Sequence, residues 1–106
     1  MFVQTELTPN PNSIKFLPGR IVSKNGSFEI TKKEETNNEL IKNLFSVDGV
    51  ESIFLGRDFI SVNKDDDIKW EDMKHIIISL INDFYSTGNE FVIDKHLNET
   101  SENLEE

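Results

Sequence analysis

The chain contains no cysteine, and that absence excludes disulfides, thiolate metal sites and cysteine nucleophiles together. Basic clusters are scarce as well. Lys32-Lys33 is the only adjacent basic pair, and Glu34-Glu35 follows it directly. Affinity for a duplex rests on neutralising phosphates with Lys and Arg, so no nucleic-acid partner is expected. No apolar run approaches the roughly 20 residues that span a bilayer, and no membrane partner is expected either. The opening residues, Met1-Phe2-Val3-Gln4-Thr5-Glu6, lack both the basic-then-apolar order of a signal peptide and the Arg-rich pattern of a transit peptide. The five glycines are scattered singly. They build no phosphate-binding loop, no dinucleotide fingerprint and no Gly-x-Ser-x-Gly elbow.

What remains is an acidic chain of 106 residues with a formal net charge of −9, long enough for one domain around one core. The imbalance is uneven. Residues 1–86 carry a net charge of −4 and residues 87–106 a net charge of −5. Two segments are therefore expected, a folded domain over 1–86 and an acidic tail or linker over 87–106, disordered from Asp94 onward. A short edge strand at Phe91-Val92-Ile93 is the one element expected beyond 86.

Thr8-Pro9-Asn10-Pro11-Asn12-Ser13 is dense in turn chemistry. Proline fixes φ near −65° and offers no N–H, while asparagine closes Asx turns. This turn joins expected strands at Phe2–Leu7 and Ile14–Leu17. Asn25-Gly26, between Ile21-Val22 and Phe28-Glu29-Ile30, predicts a type I′ hairpin. Asn38 precedes Glu39-Leu40-Ile41-Lys42-Asn43-Leu44-Phe45 and reads as the N-cap of a helix whose left-handed cap is Gly49. Val50–Leu55 and Phe59–Asn63 follow as strands around Gly56-Arg57-Asp58. The stripe Trp70, Met73, Ile77, Leu80, Phe84, widened by Ile76 and Ile81, predicts a long helix from about Lys69 to Tyr85. The fold class is α+β: two layers, a mostly antiparallel sheet of about five strands with two helices on one face, in the order β-β-β-α-β-β-α.

Chemistry-bearing groups are few. Asp65-Asp66-Asp67 fails as an EF-hand loop because its sixth position is Trp70, where glycine is needed. Its carboxylates suit the positive end of the following helix. Nothing pairs a nucleophile with a base, so an enzyme is not expected. One metal alternative stands: Asp65, Asp66, Asp67, Glu71 and His75 could offer hard oxygen and imidazole ligands to iron. Ile53-Phe54-Leu55 and Phe59-Ile60 put apolar residues on both strand parities. Either a second layer covers the outer face, or it is open to a partner, or these are ordinary core and edge residues. Rigid loops present side chains at low entropic cost, which makes Asn10, Pro11, Asn12, Lys15, Arg57 and Asp58 the candidate partner-binding residues. The same asparagines could serve only to fix strand geometry.

Taken in chain order, Phe2-Val3-Gln4-Thr5-Glu6, the Thr8–Ser13 turn, Lys15-Phe16-Leu17-Pro18-Gly19, Leu44-Phe45, Asp48-Gly49-Val50, Phe54-Leu55-Gly56, Asp58-Phe59-Ile60 and Trp70 with Lys74 resemble the N-terminal domain of Nfu-type (NifU-like) iron–sulfur cluster scaffold proteins. The resemblance runs from about residue 1 to about residue 86. It implies an accessory, non-catalytic role in iron–sulfur cluster biogenesis, in a bacterial cytoplasm or a mitochondrial matrix. The implied partners are assembly proteins and client apoproteins, met by a domain that is itself a monomer. In that family a Cys-x-x-Cys pair in a separate C-terminal domain holds the cluster. No residue here can take over that ligation, so no cofactor is expected on this chain, and 94–106 is expected to begin the linker toward such a domain.

Overall fold

The computed structural model describes residues 3–23, 26–36 and 38–87. In chain order it contains β1 (Gln4–Leu7), β2 (Ser13–Leu17), β3 (Phe28–Ile30), a short 3-10 turn (Lys33–Glu35), α1 (Glu39–Phe45), β4 (Val50–Leu55), β5 (Ile60–Lys64) and α2 (Trp70–Ser86). The strands form one sheet in the order β1-β2-β5-β4-β3, and every pairing is antiparallel. The α+β architecture expected from the sequence is the one observed.

Strand alternation decides which side chains meet the helices. Ile14 and Phe16 of β2 pair with Val62 and Ile60 of β5. Those in turn pair with Ile53 and Leu55 of β4, and Ile30 of β3 lies beside Ile53. All seven are buried, and they share one core with Leu40, Ile41 and Leu44 of α1 and Met73, Ile77, Ile81 and Tyr85 of α2. Burying an aliphatic side chain of this size stabilises by about 1.5–3 kcal/mol, so this layer holds the fold together. The opposite parity, with Gln4, Glu6, Lys15, Asn63, Ser52, Phe54 and Glu29, faces away from both helices.

Asn38 caps α1 as the sequence suggests: its Oδ1 accepts the Ile41 N–H at 3.1 Å. Gly49 does not cap that helix. The helix ends at Phe45 with Ser46 as its cap, and Gly49, at φ 98°, serves the turn closed by the Val50 N–H on the Val47 carbonyl at 3.2 Å. Side-chain room matters there too, since a Cβ on Gly49 would lie 2.9 Å from Ile68.

The expected hairpin between Ile21-Val22 and Phe28–Ile30 does not form. Ile21, Val22 and Ser23 are outside any strand, and the Val22 and Ser23 N–H groups donate instead to the Arg57 carbonyl at 2.7 and 3.3 Å. β3 pairs with β4. Burying Ile30 beside Ile53 and Val22 in the core outweighs a local turn signal worth far less. Asn25, like the strand expected at 91–93 and the tail, lies outside the described residues.

In α2 the fully buried spine is Met73, Ile77, Ile81 and Tyr85, whereas Trp70, Leu80 and Phe84 pack partly against the core and Ile76 stays exposed. Tyr85 is the member that the hydrophobic stripe missed. Its burial pushes the phenol up to about 12, against a smaller downward pull from Arg20, whose guanidinium carbon lies 5.3 Å from the ring centroid.

Candidate functional site

At one end of the sheet, the Thr8–Ser13 turn is tied into the loop before α2. The turn first closes on itself. Thr8 Oγ1 accepts the Asn10 N–H at 3.1 Å and lies within hydrogen-bond reach of the Asn10 and Ser13 carbonyls at 2.9 and 3.0 Å. Asn10 Oδ1 accepts the Asn12 N–H at 2.9 Å, the Asx turn that the sequence suggested. The Ser13 N–H donates to the Asn10 carbonyl at 3.0 Å.

It then reaches more than fifty residues along the chain. Asn12 Nδ2 donates to Asp66 Oδ1, and Asn12 Oδ1 accepts Lys64 Nζ at 3.0 Å. The Lys64 N–H donates to the Asn12 carbonyl at 2.8 Å, and the indole N–H of Trp70 donates to the Pro11 carbonyl at 2.9 Å. Lys64 explains the arrangement. It continues the inward series Ile60, Val62, Lys64 and is only 7% exposed, so its stem lies along the core while its ammonium emerges at the rim. There it finds Asn12, the Asp65 carbonyl at 3.1 Å and the Trp70 ring, 5.8 Å to the centroid. A buried ammonium needs such partners. Asn12 supplies an acceptor to the lysine and a donor to the aspartate, which neither Asp nor Ala could do together.

Two of the three aspartate carboxylates are therefore engaged. Asp65 Oδ1 accepts the Asp67 N–H at 2.9 Å, and Asp66 holds Asn12. Glu71 and His75 lie exposed on α2. Among the described residues, no three His, Asp or Glu side chains converge as ligands of one metal ion.

The other end of the sheet carries the second group. Gly56 and Phe59 close the β4–β5 hairpin, with the Gly56 N–H donating to the Phe59 carbonyl at 3.0 Å. The Phe59 ring folds directly over Gly56: a Cβ there would lie 2.2 Å from the ring. Phe54 stacks on Phe59 with centroids 6.1 Å apart, and Lys15 Nζ stands 4.5 Å above the Phe59 ring. On the same outward face, Ser13 Oγ and Ser61 Oγ share a hydrogen bond at 3.1 Å. Beside the hairpin, Leu17, Gly19, Arg20, Ile21, Arg57 and Asp58 line a cleft of about 460 Å³.

The sequence-predicted binding residues thus separate into two groups. Asn10, Pro11 and Asn12 sit with Asp65 and Asp66 at one end, and Arg57 and Asp58 sit at the other. The five residues of β5 between them span about 16 Å at ~3.3 Å per residue. Lys15 belongs with the hairpin end through Phe59. Sequence reasoning missed Lys64 and Arg20, and it named Gly56 only as part of its hairpin turn. The alternation Ile60-Val62-Lys64 was the available signal for the first, since it puts a cation in a core series.

Fold and site together define a small α+β domain with one helix-covered sheet face, one face without a helix among the described residues, and hydrogen-bonded loops at both ends. The polar groups of its turn end are bonded to one another across the Thr8–Ser13 turn and the loop before α2. Residues 3–88 match the family described as scaffold protein Nfu/NifU N terminal, and the chain belongs to that family. It is 40% identical over 95 residues to NifU-like protein 4, mitochondrial, of Arabidopsis thaliana, covering 89% of this chain and 34% of that protein. With the NFU1 iron-sulfur cluster scaffold homolog, mitochondrial, of Drosophila erecta it shares 35% identity over 108 residues, covering 100% of this chain and 38% of the relative. The chain thus spans little more than a third of the curated relatives it matches. Among solved structures, a NifU-like protein from Saccharomyces cerevisiae superposes with a TM-score of 0.75 at 30% identity, covering 89% of this chain and 85% of that one. Protein SAV1430 from Staphylococcus aureus gives 0.68 at 31%, covering 76% and 98%.

Proposed function

We propose that this domain is the non-catalytic accessory and docking part of an iron–sulfur cluster scaffold or carrier. The observation that carries the reading is the open sheet face. Phe54 is 36% exposed and stacked on Phe59, Lys15 stands over that ring, and Arg57 and Asp58 flank it. Partly exposed phenylalanines beside an arginine, with polar groups around them, match the aromatic centre and polar rim of protein interfaces. Membership in a scaffold family supplies the context. This chain has no thiolate to offer, so in this reading the cluster is held outside it, by the Cys-x-x-Cys pair that the family resemblance implies. The partners are assembly proteins and client apoproteins, met by a monomeric domain in the mitochondrial matrix, as the plant and fly relatives' names suggest, or in a bacterial cytoplasm. In this reading Asn10, Pro11 and Asn12 shape the domain, and Lys15, Arg57 and Asp58 with the two phenylalanines contact the partner.

The test is an amide-shift titration of the isotope-labelled chain with a purified apo iron–sulfur protein. Shifts should concentrate at Lys15, Phe54, Arg57 and Asp58, and Phe54→Asp should abolish them without altering the rest of the spectrum. Saturating partner with no shift on that face would overturn the proposal. A localised response of Asp65, Asp66, Asp67, Glu71 and His75 to micromolar ferrous iron would favour direct metal delivery instead.

A further inference from the structure

Both arginines of the chain, Arg20 and Arg57, line the cleft beside the β4–β5 hairpin, and no lysine joins them there. They reach it from two different loops, which the backbone fastens together. The Val22 and Ser23 N–H groups both donate to the Arg57 carbonyl, so the segment after β2 is locked onto the hairpin. Arg20 is anchored from below, its guanidinium carbon 5.3 Å from the ring centroid of the buried Tyr85. A guanidinium attracted to a ring keeps its fork of N–H donors for other acceptors. Among the described residues no carboxylate forms an ion pair with either arginine, although Asp58 lines the same cleft.

The remaining wall is apolar. Leu17 and a 46%-exposed Ile21 form it, and Gly19, at φ 79°, leaves open space where a side chain would stand. Two unpaired guanidinium forks beside an exposed aliphatic patch complement a carboxylate next to an aliphatic group. The chain's net charge of −9 disfavours a polyanion, and Asp58 on the wall disfavours a dianionic phosphate more than a single carboxylate. We propose that this cleft binds a short extended segment of a partner protein in which acidic and aliphatic residues alternate. Its carboxylates engage Arg20 and Arg57, and its aliphatic side chain covers Leu17 and Ile21. The walls are already set by hydrogen bonds, so little ordering cost opposes binding. This site needs neither Phe54 nor Phe59 and stands apart from the sheet face assigned above.

The probe is a blocked synthetic peptide, acetyl-Glu-Leu-Glu-amide, titrated into the isotope-labelled full chain. The amides of Gly19, Ile21 and Arg57 and the Nε–H groups of both arginines should shift saturably, while Asn10, Asn12 and Asp66 at the far end of the sheet stay still. Arg20→Gln and Arg57→Gln should each weaken binding about threefold or more, as loss of an exposed ion pair does, and together they should abolish it. Arg57→Gln keeps the backbone carbonyl that ties the loops, so its spectrum reads binding even if Arg20→Gln loosens the Tyr85 contact. An equal response to acetyl-Gln-Leu-Gln-amide, or shifts spread over both ends of the sheet, overturns the proposal. So does inorganic phosphate matching the peptide at equal concentration and ionic strength, which would make the cleft a general anion site. The probe carries no aromatic group and no partner protein is present, so failure here is separate from failure of the docking face.

Discussion

Replacing Asn12 with alanine tests whether the turn is a structural clamp. The substitution removes the acceptor of Lys64 Nζ, 3.0 Å away, and the donor to Asp66, while leaving the backbone pairing of Lys64 with residue 12 intact. A hydrogen bond to a charged group contributes roughly 1.5–3 kcal/mol. The Lys64 bond takes a value inside that range because the lysine is nearly buried. The Asp66 bond, at an exposed carboxylate, adds well under about 1 kcal/mol by analogy with exposed ion pairs. The expected loss is therefore about 2–3 kcal/mol, or on the order of 10–20 °C in melting temperature for a domain of this size. Urea unfolding can be followed through Trp70, the only tryptophan and itself bonded to the Pro11 carbonyl. A double-mutant cycle with Lys64→Met should return a coupling of about 1 kcal/mol or more, as residues sharing one network do. A loss below about 0.5 kcal/mol, the range of ordinary surface changes, would refute the clamp and return Asn12 to the partner-binding set.

Two further outcomes follow from the geometry. Gly56→Ala pushes a methyl into the Phe59 ring and should cost about 1–3 kcal/mol as overpacking does, measured by the same unfolding assay, with Phe59→Leu in the same chain recovering part of the loss. The single tyrosine should titrate near 12 in the folded protein. Its ordinary value is about 10, so stability present below pH ~10 is lost as pH rises toward 12, the unfolded phenol ionising first. A phenolate absorbance midpoint near 10 in the folded state would contradict its burial.

The sequence showed most clearly what depends on near neighbours. The cap at Asn38, the Asx turn at Asn10, and the strands on either side of Gly56 all rest on residues a few positions apart, and the structure repeats them. Where distant residues decide, local signals failed. Asn25-Gly26 promised a hairpin, but Ile30 found a better neighbour in Ile53 on β4. Gly49 looked like a helix cap because glycine marks positive φ without saying which turn needs it. The hydrophobic stripe on α2 omitted Tyr85, whose hydroxyl disguises a side chain that the core encloses. The candidate site was half visible. Turn and aspartates were each singled out, yet nothing local joins Asn12 to Asp66, and Lys64 becomes meaningful only once β5 places it at the rim.

The strand order has a consequence for how the domain comes into being during synthesis. β1 with β2, and β3 with β4, are the two outer pairs, and β5, last of the five to be made, inserts between β2 and β4. Until residue 64 has left the ribosome, no strand exists to join the halves, and isolated two-stranded ribbons are marginal in water. The emerging chain therefore holds its two outer strand pairs without a lasting sheet until β5 emerges to join them. Non-local closure of this kind sets a slow, all-or-none step. Nascent-chain proteolysis should show protection rising abruptly once β5 and α2 are both free, rather than growing strand by strand.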